Sequence, residues 1–110
     1  VSEFFDSEMV RQTMGELEDM QEKLFLHIFD IPYCSNTEKK AYLQLMRDFL
    51  EKQKVLLFRM SLSDDPEAQL IKAKVLESAK LFGLKDNQGM DEFFQLLENP
   101  IKELEKSLEL

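Results

Sequence analysis

The sequence predicts an all-α fold. Val, Ile and Thr together supply only 10 of the 110 residues, and these β-branched types are the ones strands favour. Leu, Glu, Lys, Met and Gln, all strong helix formers, take their place. Three Gly and three Pro punctuate the chain, so the helices between them should be long. Residues 1–110 read as a single domain, since this length is near the common domain size and can bury one core.

The first helix is expected over about 7–30. Asp6 or Ser7 can cap it by accepting an orphan N–H. With Asp6 as the cap, Phe5 and Val10 take the positions of a hydrophobic staple. Val10, Met14, Leu17, Met20, Leu24 and Ile28 then step by three or four along one face. Pro32 stops the helix. Ser35-x-x-Glu38 is a capping box, and it opens a second helix over about 36–62. Tyr42, Met46, Phe49, Gln53, Leu56 and Met60 form its stripe, widened by Leu43, Leu50 and Leu57. A short loop between two long helices predicts an antiparallel hairpin.

Two or three shorter helices should pack against that hairpin. Asp65 caps the next one, with Pro66 at the first helical position, where its missing N–H costs nothing. It should run to about Phe82, and Gly83 suits the left-handed position beyond, with Leu84 packing back. Phe93, Phe94, Leu96 and Leu97 mark another helix. Pro100 either starts a fifth helix behind an Asn99 cap or kinks a continuous one; the new helix is favoured, with Ile101, Leu104 and Leu108 as its stripe.

Composition excludes several function classes. The longest apolar run is Val55 to Phe58, far short of the ~20 residues a transmembrane helix needs, so no membrane partner is expected. No signal peptide is visible at the start. The lone Cys34 has no internal disulfide partner, which favours a reducing, cytoplasmic compartment. One Cys and one His cannot supply a four-ligand zinc site, and no cofactor is implied. Charge is segregated: residues 1–30 carry a net -6, 31–60 a net +3, 61–85 balance, and 86–110 carry -5, for a total of -8. A basic second helix between acidic neighbours reads as charge matching within or between chains.

Each chemical candidate has a plainer reading beside it. His27 could be a general base or pH switch, but no Ser or Cys shares its helical face. Cys34 could be a nucleophile if its pKa were depressed, though no Lys or Arg precedes it within ten residues. Glu16, Asp19 and Glu22, or Asp64, Asp65 and Glu67, could hold a divalent metal. The first set reads as a solvated face and the second as cap and dipole partners. Lys40, Arg47 and Lys54 recur every seven residues as a candidate basic stripe for phosphate, with Asp48 and Glu51 interrupting it. No catalytic residue emerges.

The apolar residues say more. Phe4, Phe5, Met9, Leu26, Phe29, Leu45 and Phe58 form a candidate interaction surface, partly off the main stripes. Stripes this wide suggest a second buried face. A homo-oligomer is expected, a twofold dimer first, together with an unidentified protein partner.

Two stretches also carry a family likeness. They are Phe4-Phe5-Asp6-Ser7-Glu8, and Glu51 to Leu56 continuing through Leu62-Ser63-Asp64-Asp65-Pro66-Glu67-Ala68 to Glu77-Ser78-Ala79-Lys80. The chain resembles the family of short helical proteins called domain of unknown function 1825, found mainly in cyanobacteria and their phages. The resemblance implies a small cytoplasmic helical protein and assigns no activity or site residue. Three functions remain open. First stands a noncatalytic interaction module, an oligomeric adaptor or regulator. Second stands a regulator of nucleic-acid machinery, through the basic stripe or by acidic mimicry. Third stands a small metal-dependent enzyme.

Overall fold

The structure, a computed structural model, describes residues 3–108. It contains four α-helices: α1 (Glu8–His27), α2 (Asn36–Leu62), α3 (Pro66–Ala79) and α4 (Met90–Leu108). Single 3-10 turns follow at Ile31–Tyr33 and Lys80–Phe82. Among the described residues there is no strand.

The caps explain the boundaries. Ser35 accepts the N–H of Glu38, and the Glu38 side chain returns to the Ser35 N–H, so the capping box that opens α2 is complete. Asp65 accepts the Glu67 N–H at 2.9 Å at the head of α3, with Pro66 inside the first turn. α3 tightens into its 3-10 turn before Gly83, which ends it at φ 111°. The N–H of Leu84 then reaches the Ala79 carbonyl at 3.2 Å, and the Leu84 side chain is buried.

α1 departs slightly from expectation at both ends. Ser7 holds the cap position in an extended conformation, but its side chain makes no capping bond. Asp6 instead pairs with Arg11 at 3.3 Å, so the staple spacing reckoned from Asp6 does not apply. At the other end the helix stops at His27 rather than residue 30. Ile28 and Asp30 bond three residues back, to Phe25 and His27, and the chain winds into the Pro32 turn.

The larger correction is Pro100. It lies inside α4 and starts no fifth helix. An interior proline costs about 3 kcal/mol by deleting one N–H. Packing on both sides of it opposes that cost. Phe93 and Leu97 belong to one core cluster, while Ile101, Leu104 and Leu108 belong to the next. Lys54–Glu98 and Arg47–Glu105 pin the same helix to α2 before and after the proline. Pro100 itself faces solvent, where water can serve the carbonyl left without a partner.

α2 is the central element. Glu16 meets Lys52, and the Leu24 carbonyl meets the Tyr42 hydroxyl, so α1 runs antiparallel to α2. Glu98 meets Lys54 and Glu105 meets Arg47, so α4 does too. One core cluster joins Val10, Leu56, Leu57, Met60, Ala79, Leu84 and Phe93 from all four helices and the Gly83 turn. The other joins Leu43, Leu50 and Ile101, from α2 and α4 alone. α1 contributes a single buried residue, Val10. Beyond Leu17 it adds no side chain to either cluster.

Candidate interaction surface

The sparse burial of α1 leaves its end bare. Phe25, Leu26, Ile28, Phe29 and Tyr33 are all exposed around the hairpin tip, Phe29 at 80 % and Tyr33 at 90 %. Such residues are ordinary when scattered singly, but here five stand within nine positions of the chain, from Phe25 to Tyr33. The chain has to turn here, and the 3-10 turn at Ile31–Tyr33 projects Tyr33 outward instead of folding it onto the core.

Beside these residues lies a hollow of about 280 Å³, lined by His27, Ile31, Cys34, Glu38, Tyr42 and Leu45, among others. The structure thus gives Cys34 and His27 a common site, which the sequence reading did not anticipate. The signal was the turn geometry, which closes seven residues of separation across the helix end. The chemistry there is quiet. Partial desolvation, followed by the nearby Glu38 charge, pushes the Cys34 thiol above its ordinary pKa. The thiol donates to the Asp30 carbonyl at 3.2 Å. A nucleophilic cysteine needs the opposite shift. Tyr42 is raised by desolvation and donates its hydroxyl to the Leu24 carbonyl at 2.9 Å. Both groups therefore favour their neutral forms.

A second apolar feature separates α3 from α4. Two overlapping hollows of about 390 and 580 Å³ share Ala79, Phe82, Phe93 and Leu97. Ile71 and Val75 extend one wall and Pro100 the other. Phe82, which lines both hollows, is 81 % exposed, and its neighbour Leu81, which lines neither, is 85 % exposed. Gly83 forces this display, because the chain must reverse immediately after Phe82.

The residues anticipated as a surface are distributed unevenly. Phe4 and Phe5 are half-buried against the larger core cluster, edge to face with ring centroids 5.0 Å apart. Leu45 is half-buried in the tip hollow. Met9, Leu26, Phe29 and Phe58 are exposed. Of these, Leu26 and Phe29 sit together at the tip. Met9 lies against Arg59, toward the other end of the hairpin.

The basic stripe turns toward α4. Arg47 pairs with Glu105. Lys54 pairs with Glu98 at 2.6 Å and sits 5.8 Å from the centre of the Phe94 ring. That hydrogen bond from Lys54 is the main reason the Glu98 carboxyl lies below the usual carboxylate range. Lys40 is exposed and makes no ion pair among the described residues. A run of three cations thus offers one uncommitted charge to a phosphate.

The acidic candidates are similarly occupied or dispersed. Glu16 is held by Lys52 at 2.6 Å, which lowers its pKa, while Asp19 and Glu22 face solvent. Asp65 is turned to backbone N–H groups, those of Phe4 and Glu67. Among the described residues no three His, Cys, Asp or Glu side chains group so that they could hold a metal ion. Nor is any helix of the described chain long and apolar enough to cross a membrane.

No curated protein and no solved structure matches this chain. A family profile does match, over residues 2–105, nearly the whole length. The all-helical fold, with its caps at Ser35 and Asp65 and its turn at Gly83, thus belongs to a member of the family described as domain of unknown function DUF1825.

Proposed function

We propose that this chain is a noncatalytic protein–protein interaction module, an oligomeric adaptor or regulator. The observation that carries the reading is the apolar groove between α3 and α4, with Phe82 exposed on its wall and Leu81 exposed next to it in sequence. A groove walled by two helices fits the apolar face of a third, which is a common mode of peptide recognition. Phe82 would anchor it, as aromatic side chains do at interface centres. The hairpin tip offers a second, separate apolar surface, which an adaptor needs. A protonated lone thiol at Cys34 suits a reducing cytoplasm. A phosphate-binding role is weakened by the engagement of Arg47 and Lys54 with α4 carboxylates.

The test is affinity capture from native lysate at moderate salt, comparing the wild-type chain with Leu81→Asp/Phe82→Asp. Both residues are exposed, so the substitutions should leave the fold intact. Specific proteins held by the wild type and lost by the variant would support the reading. The same set on both, or none on the wild type, would overturn it.

A further inference from the structure

The molecule exposes more surface than its mass accounts for. A folded monomer of 13.0 kDa should present about 6,300 Å² to solvent. This chain presents 7944 Å². Its radius of gyration is 15.7 Å, against about 13 Å for a compact chain of similar length. The principal extents are 48 × 33 × 18 Å, long and flat. No large side chain among the described residues is fully buried, and of the buried core positions only the small Ala68 keeps no exposed surface.

The excess is concentrated where α1 leaves the core. From Glu18 to His27, α1 has no buried residue. It rests on α2 alone, where the Tyr42–Leu24 hydrogen bond joins them. Of its apolar side chains there, Met20 and Leu24 are half-buried, but Phe25 and Leu26 are exposed, as are Ile28 and Phe29 just beyond. A two-helix arm is a poor shelter for apolar surface, whereas four helices around a common seam are a stable solution.

We propose that a second copy of this chain covers the outer half of the hairpin, so that the two arms form an antiparallel four-helix bundle about a twofold axis. The inference rests on the interaction-module reading and supplies its oligomeric part. Area supports it first. A standard interface removes about 800 Å² from each partner, well within the excess. Charge supports it second and selects the alignment. Glu18, Asp19 and Glu22 on α1 make no ion pair among the described residues, and neither do Lys39 and Lys40 on α2. A twofold dimer that lays α1 of one copy along α2 of the other brings free acids beside free bases, twice. Laying α1 on α1 would place like charges together. Phe25 and Phe29 supply the apolar seam, and the hollow beside Leu45 and Tyr42 lies at the same end.

The test is the solution mass of the purified full chain, by sedimentation equilibrium from micromolar to submillimolar concentration. Wild type should show twice the 13.0 kDa chain mass. Phe25→Asp/Phe29→Asp should sediment as a monomer with unchanged helical circular dichroism, because both side chains are already exposed. Leu81→Asp/Phe82→Asp should remain a dimer. Lys39→Glu/Lys40→Glu should raise the dissociation constant about tenfold, and adding Glu18→Lys/Glu22→Lys should restore it. A monomeric wild type, a dimer that survives Asp at Phe25 and Phe29, or a dimer broken at Leu81 and Phe82 would each overturn the proposal. So would a fourfold charge-swapped chain no tighter than the Lys39/Lys40 variant. Partner capture by a chain that proves monomeric would sink the dimer and leave the interaction reading standing.

Discussion

Asp65 and Phe4 lie 61 residues apart, yet the Asp65 carboxylate accepts the backbone N–H of Phe4 at 2.8 Å. Its other oxygen caps α3 through the Glu67 N–H. One side chain therefore starts a helix and ties down the segment that leads into α1. Asp65→Ala should cost about 2 kcal/mol, a lost cap plus a lost charge-assisted bond. Asp65→Asn should recover about half, because Asn caps well but has only one accepting oxygen. Thermal melts of the three chains would check the order. Equal losses for Ala and Asn would contradict it.

Pro100 should be a site of easy stabilisation. Its ring removes an N–H from the interior of α4 and it faces solvent. Pro100→Ala should restore a hydrogen bond to the Leu96 carbonyl and improve helix propensity, raising stability by about 1–3 kcal/mol. The melting temperature should rise by several degrees. A fall on substitution would mean that the proline starts a helix after all.

Gly83 should disfavour a side chain, for a reason confined to the backbone. At φ 111° it lies where L-residues are strained, although an added Cβ would meet nothing within 4 Å. Gly83→Ala should destabilise by about 1 kcal/mol. Urea midpoints would measure it. Because no clash is involved, Gly83→Asn should cost less than Gly83→Ala.

The carboxylates held by lysines make stability fall in acid. Glu98 and Glu16 both have pKa values lowered in the fold, chiefly by hydrogen bonds from Lys54 and Lys52. The unfolded chain, with ordinary glutamates near about 4.3, binds protons first as pH drops. The contribution of each pair is therefore present above that value and is lost as pH falls through the lower folded pKa. Urea midpoints from pH 7 down to 3 should decline below about 4.3. The decline should be shallower in Glu98→Gln, and an identical slope would remove Glu98 as a cause.

Local chemistry was the legible part of this fold. The Ser35–Glu38 box, the Asp65–Pro66 start and the Gly83 stop each depend on a few adjacent residues, and each stands where their types place it. Pro100 misled because its local rule competes with packing by residues on either side, against a helix that ends at Leu62, far back in the sequence. Phe4 and Phe5 looked available for a partner, since nothing adjacent shows that they pack against a core cluster drawn from distant helices. The heptad of Lys40, Arg47 and Lys54 was visible, but its counter-charges, Glu98 and Glu105, sit two helices later. The hollow that joins His27 to Cys34 depends on how tightly the chain turns at Pro32.

The division of the core into two clusters gives the molecule unequal halves. The α2–α4 cluster takes no residue from α1, and the two clusters have only Leu97 as a common neighbour. α1 can therefore peel outward from its tip, breaking the Tyr42–Leu24 tie first, while Leu43, Leu50 and Ile101 stay packed. Amide protons of the outer half of α1 should exchange with solvent orders of magnitude faster than those of α2. The chain is thus a two-helix spine of α2 and α4, with α1 joined to the shared core only through its first half.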